Sequence, residues 1–202
     1  MEDLVQALRK NGMDATFLST CEEAKTHILQ LIPAHATVGI GGSVTIRQLN
    51  LIQDLRERGN EVYEHWQPGL SNEERKQAAW RALNAQYYLA SSNALTKDGK
   101  LVNTDNTGNR VAAMVFGPSH VIIVVGTNKI VEDVADGIKR IKEKAAPFNC
   151  LRRKENTPCA ETGRCQNCDS PSRLCRVTTI IEKKTRGVES LSVIIVGTEL
   201  GY

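Results

Sequence analysis

The run His120-Val121-Ile122-Ile123-Val124-Val125 constrains the fold more than any other stretch of this 202-residue chain. Five consecutive apolar residues from Val121 do not alternate, so they cannot form a strand with one wet face. The run predicts a strand covered on both faces, near the centre of a mostly parallel sheet. Shorter strand patterns surround it at Ala15–Leu18, Thr37–Ile40, Glu61–Trp66, Tyr87–Ala90 and Leu101–Val102, with two more at Val177–Ile181 and Leu191–Val196. Helical patterns alternate with them: Glu2–Lys10, a segment carrying Ala24, Ile28 and Leu31, Val44–Arg58, a segment from Ser71 through Ala85, Arg110–Phe116, and Val131–Ala145 ending at Pro147. Thr20-Cys21-Glu22-Glu23 and Ser71-Asn72-Glu73-Glu74 have the form of capping boxes.

Strands alternating with helices imply parallel βαβ units with right-handed crossovers. The expected fold class is therefore α/β, a mostly parallel sheet with flanking helices, formed by one domain over residues 1–202. The last two strands are too close in sequence for a helical crossover, which predicts an antiparallel pair at one edge.

Composition narrows the function. A net charge of +3 and 4% aromatic residues argue against a nucleic-acid surface or a base-stacking platform. No apolar run approaches the length of a membrane span, so no membrane insertion is expected. Met1-Glu2-Asp3 has no basic n-region behind it, so the expected compartment is the cytoplasm, where thiols stay reduced.

In open α/β sheets, ligands bind beyond the carboxyl ends of the strands. Gly41-Gly42-Ser43, Ser91-Ser92-Asn93, the loop Asn103–Arg110 and Gly126-Thr127-Asn128-Lys129 all follow strands. The glycine turn reads either as a tight turn with a capping serine or as an anion cradle at a helix N-terminus. Asn103–Arg110 reads either as a turn rich in Asn and Gly or as a place where Asp105 sits beside the cation Arg110. Lys129 is either a solvated lysine or an anion ligand. No protease-type zinc spacing involves His27, His35, His65 or His120, and Ser43 lacks the Gly-x-Ser-x-Gly setting of a hydrolase nucleophile.

SSNALTKDGKLVNTDNTGNRVAAMVFGP, followed by VVGTNKIV, AAPFN and TPCAETGRCQNC, resembles the lactate-utilisation (LUD) domain family. The likeness runs over the whole chain and is nearest to stand-alone, single-domain members with a C-terminal cysteine stretch, here at residues 150–175. It implies a fold like that of ribose-5-phosphate isomerase, glucosamine-6-phosphate deaminase and CoA transferases. It also implies a link to iron–sulfur-dependent oxidation of lactate. The implied ligand-binding residues are Gly41, Gly42, Ser43, Ser92, Asn93, Asn109, Arg110, Asn128 and Lys129, with Asp105 as the one acid/base group among them.

Cys159, Cys165, Cys168 and Cys175 follow the spacing C-x5-C-x2-C-x6-C. Four thiolates suit zinc or an iron–sulfur cluster, and the alternative is a reduced loop or opportunistic disulfides. The link to lactate oxidation favours a [4Fe–4S] cluster over zinc. Cys21 and Cys150 read as ordinary helix-terminal and loop thiols. The expected function is a redox component or accessory in oxidation of a small hydroxy acid such as lactate, with a small anionic ligand and redox partner proteins. The alternative is an enzyme or binding module for a sugar phosphate or CoA-type ligand, with a structural zinc.

Overall fold

In the computed structural model, which describes Met1–Tyr202, the chain begins with α1 (Glu2–Lys10), β1 (Asp14–Leu18), α2 (Cys21–Leu31) and β2 (Thr37–Ile40). It continues through α3 (Val44–Gln48), α4 (Ile52–Glu57), β3 (Glu61–Glu64), α5 (Asn72–Leu83), β4 (Tyr87–Ala90), β5 (Ala94–Thr96), β6 (Leu101–Asp105), α6 (Asn109–Val115) and β7 (His120–Gly126). A 3-10 turn, Thr127–Lys129, leads to β8 (Ile130–Val131), α7 (Val134–Arg140), a π-helical turn (Ile141–Ala145), α8 (Ala146–Arg153) and α9 (Pro158–Thr162). The chain ends with β9 (Val177–Ile181) and β10 (Ser190–Val196).

Six strands form one parallel sheet in the order β1-β10-β7-β4-β2-β3. As the apolar run requires, β7 lies inside it, paired with β10 and β4. Its side chains alternate between two cores. Val121, Ile123 and Val125 pack with Leu4 and Leu8 of α1, Ala82 of α5 and Met114 of α6. Ile122 and Val124 pack with Ile28 of α2, Ile46 of α3 and Leu55 of α4. Each such burial is worth about 1.5–3 kcal/mol, so this strand alone ties helices on both faces to the sheet. Both capping boxes form: Thr20 and Ser71 each accept from the backbone of Glu23 and Glu74, whose carboxylates reach back.

Close approach also fixes the layers. A Cβ on Gly39 of β2 would lie 2.4 Å from the Ala82 carbonyl oxygen of α5, so the helix backbone rests directly on the strand. Gly39→Ala is expected to cost about 1–3 kcal/mol through overpacking, read as a lower melting temperature. A wild-type melting curve would contradict this contact.

The structure corrects four expectations. The helix from Val44 to Arg58 is interrupted after Gln48, because Asn50 takes a left-handed conformation (φ 50°). The segment from Val131 is first a strand and becomes helical only at Val134, where the Asp133 side chain accepts from Asp136 N–H. It then runs past Pro147 to Arg153, since the π turn before Ala146 absorbs the irregularity and Pro147 occupies the first turn of α8. The last two strands do not pair with each other. β10 is parallel between β1 and β7, while β9 pairs antiparallel with β6 in a separate four-stranded sheet, β8-β5-β6-β9. That second sheet was not expected: β5 and β8 are too short to leave a periodic signal.

From β2 the chain turns outward to β3, whereas β4, β7 and β10 proceed in the opposite direction. The carboxyl ends of β2 and β4 therefore flank the point where the winding reverses, the place where open α/β sheets form a crevice. No helix is long and apolar enough to cross a membrane.

Candidate functional site

That crevice is a cleft of about 760 Å³. Of the residues singled out in the sequence, Gly42, Ser43, Ser92, Asn93, Asp105, Asn109, Arg110 and Lys129 line it, and so does Cys175. Gly41 and Asn128 do not. Gly41 lies below, where a Cβ would meet the Tyr88 hydroxyl at 3.0 Å, and Asn128 ties down the chain end by donating to the Gly201 carbonyl and accepting from Leu200 N–H.

Arg110, at the start of α6, organises the cleft wall. Its Nε and Nη2 donate to Asp105 Oδ1 at 3.0 and 2.6 Å. Nη1 donates to the Ser91 carbonyl and Asn103 Oδ1, both at 2.6 Å, and Nη2 also reaches Asn93 Oδ1 at 2.9 Å. These partners come from the ends of β4 and β6, so one buried guanidinium fastens both sheets together. No donor is left for a ligand, which departs from the expectation that Arg110 clamps an oxyanion directly. Asp105 is engaged as well, its Oδ2 accepting from Val111 N–H at 3.1 Å. Its carboxylate fixes Arg110 and α6 instead of standing free as an acid or base. Ser43 caps α3 by accepting from Ile46 N–H, and Ser92 donates to the Ala94 carbonyl.

Lys129 differs. It is 3% exposed, and Nζ donates to Thr45 Oγ1 at 2.8 Å and Ser91 Oγ at 2.9 Å. No carboxylate pairs with it. Burial, with Arg140 and Arg110 nearby, pulls its pKa down to about 7.

Most of the walls leave no signal in the sequence. Arg75, Lys76, Arg152 and Arg153 join Arg110 and Lys129 around the cleft, whereas Asp105 is the one acidic residue there. Trp66, Trp80 and Tyr202 supply aromatic surface. Gly42 makes room for Trp66, whose ring lies 2.7 Å from where a Cβ would stand, and the Arg152 guanidinium lies 4.3 Å from the ring centroid. His65 Nδ1 is buried without a partner, and burial, reinforced by Arg75, lowers the pKa of that ring. These residues carry no common spacing; Arg75 and Arg152 come to the same cleft only through tertiary packing.

The cysteine segment borders the same cleft. Cys150 is not a loop thiol: it is buried in α8, packed with Cys159 and Leu174. Burial pushes it up to about 11, with the Cys159 and Cys175 thiols nearby. Burial also raises Cys175, and Cys165, Cys159 and Cys168 add to the effect. The loop is organised by arginines, Arg173 donating to the Cys168 and Cys175 carbonyls and Arg176 to the Pro171 and Arg173 carbonyls. No group of three or more His, Cys, Asp or Glu side chains is arranged to hold a metal ion, so the thiols do not form a ready ligand set.

The chain is similar to a DUF162 family protein from Deinococcus radiodurans known from a crystal structure, with a TM-score of 0.55 and 18% identity over 96% of this chain and 94% of that one. That likeness shows the fold. No curated protein matches the chain. The family model for the LUD domain matches residues 1–196, and the chain belongs to the LUD domain family.

Proposed function

We propose that the cleft binds a small organic anion and that the chain is a redox component or accessory in oxidation of a small hydroxy acid such as lactate. The observation that carries this reading is the charge of the walls: six basic side chains line the cleft, of which Arg110 is paired with Asp105 and Arg153 with Glu155, and Asp105 is the one carboxylate among the lining residues. Lys129 is buried among hydroxyls with no carboxylate beside it, so no acid of the chain competes with an incoming anion there. Membership of a lactate-utilisation family supports the choice of hydroxy acid.

A second reading, a sugar phosphate or CoA-type ligand, is favoured by the cleft volume of about 760 Å³, well above the needs of lactate, and by the Trp66 and Trp80 faces. Thermal stability of the full chain at low ionic strength, measured with lactate, pyruvate, ribose 5-phosphate and CoA, separates the two. Stabilisation by the first pair supports the leading reading, and stabilisation confined to the second pair replaces it. No response to any of them contradicts an anion cleft of either kind.

The metal centre, a [4Fe–4S] cluster or zinc on Cys159, Cys165, Cys168 and Cys175, belongs to the same proposal on their spacing and neighbourhood. Binding would have to draw these thiolates into a set that the chain does not hold beforehand. Cys168→Ser is then expected to lose bound iron or zinc after anaerobic expression, while Cys21→Ser keeps it. Metal-free parent protein under the same conditions would contradict the centre.

A further inference from the structure

Lys129 offers more than a charge. The Thr45 hydroxyl donates to the Leu200 carbonyl and the Ser91 hydroxyl to the Ser92 carbonyl, each at 3.3 Å, so both oxygens turn lone pairs toward Nζ. Two N–H bonds of Lys129 are therefore committed, at 2.8 and 2.9 Å. That pattern fits a neutral amine, which has two protons and leaves its lone pair without a partner. The surroundings favour the neutral form: the side chain is buried, the charged groups near it are Arg110 and Arg140, and no acid stabilises an ammonium. A lysine desolvated beside other cations is an activated nucleophile. Lys129 also lines the cleft.

We propose that Lys129 is a nucleophile that forms an imine with the carbonyl group of a small 2-oxo acid bound in the cleft. The proposal rests on the anion-binding reading above and names the substrate class of that site. The Nζ lone pair attacks the carbonyl carbon and a C–N bond forms. The carbonyl oxygen takes up two protons, in balance the two that nitrogen gives up, and leaves as water when the C=N bond forms. The step needs no oxidant or reductant. The carboxylate beside the carbonyl is the feature that the basic walls, Arg75, Lys76, Arg152 and Arg153, select.

The test incubates the full chain with pyruvate and sodium cyanoborohydride near pH 7, then maps the reduced adduct by peptide mass spectrometry. Inorganic pyrophosphate binding is measured calorimetrically on the same preparation. Label at Lys129 should exceed that on any surface lysine by about tenfold or more, because an ordinary lysine holds little free amine at that pH. Lys129→Arg, checked for an unchanged melting curve, should lose this label; Lys129→Met provides the same comparison without the charge. Label spread evenly over surface lysines, or absent from Lys129, in a chain that still binds pyrophosphate overturns the imine and leaves the anion site standing. Absence of both label and pyrophosphate binding overturns the two together.

Discussion

Arg110→Ala is expected to cost about 3–5 kcal/mol of folding stability, the range for breaking a buried ion pair by removing one partner. The change strands the Asp105 carboxylate, leaves the Ser91 carbonyl without its side-chain donor and leaves Asn103 Oδ1 with the Asn93 N–H alone. Arg110→Lys should recover only part of the loss. A point charge cannot reproduce a planar fork that reaches acceptors on β6 and on the loop between β4 and β5. Denaturant unfolding reads the effect as a lower midpoint at an unchanged slope. A loss below about 1 kcal/mol would mean that the network is surface decoration and that the cleft wall stands without it.

Lys129→Met should act in the opposite direction. The folded chain holds this lysine at a pKa near 7, against 10.5 for a free side chain. Between those values the unfolded chain binds a proton that the folded chain does not, so this residue makes stability rise with pH across that window. The slope approaches about 1.4 kcal/mol per pH unit within it, and below pH 7 the full cost of burying the charge is present. Methionine has similar length and no charge. The variant should therefore be more stable than the parent at and below pH 7, with the difference closing toward pH 10.5. Taking the difference between the two unfolding curves removes the contribution of Cys150 and Cys175, which titrate alkaline as well. A parent that is more stable than Lys129→Met at neutral pH would show the lysine to be structural. A gain in stability with loss of ligand binding is the trade-off expected of a functional residue.

The sequence was most legible where burial leaves a long local signal. Val121–Val125 announced a strand covered on both faces, and the Thr20 and Ser71 capping boxes marked the starts of α2 and α5. Legibility failed where the signal is short or the partner is distant. Ala94–Thr96 and Ile130–Val131 are three and two residues long, and their pairing depends on β6 and on each other. β9 and β10 are close in sequence and lie in different sheets, because the stretch between them crosses to Val115, where Thr185 donates to its carbonyl. For the site, strand ends pointed to Gly42, Asn93, Asp105, Arg110 and Lys129. Their division of labour could not be read: an Asp and an Arg a few residues apart look like a reactive pair, and only the side-chain geometry reveals that each engages the other. Arg152 on Trp66, and Cys150 against Cys159, have no signature at all because α8 brings them in from a helix that Pro147 had seemed to end.

An anion site lined by Lys129 is what the proposed function requires. Calorimetric titration of the parent and of Lys129→Met with pyruvate, at low and at high salt, addresses that directly. Binding to the parent should weaken with salt, as screening of the basic walls requires, and should fall by about tenfold or more in Lys129→Met. Equal binding to both proteins, or binding to the parent that salt does not change, would contradict that site.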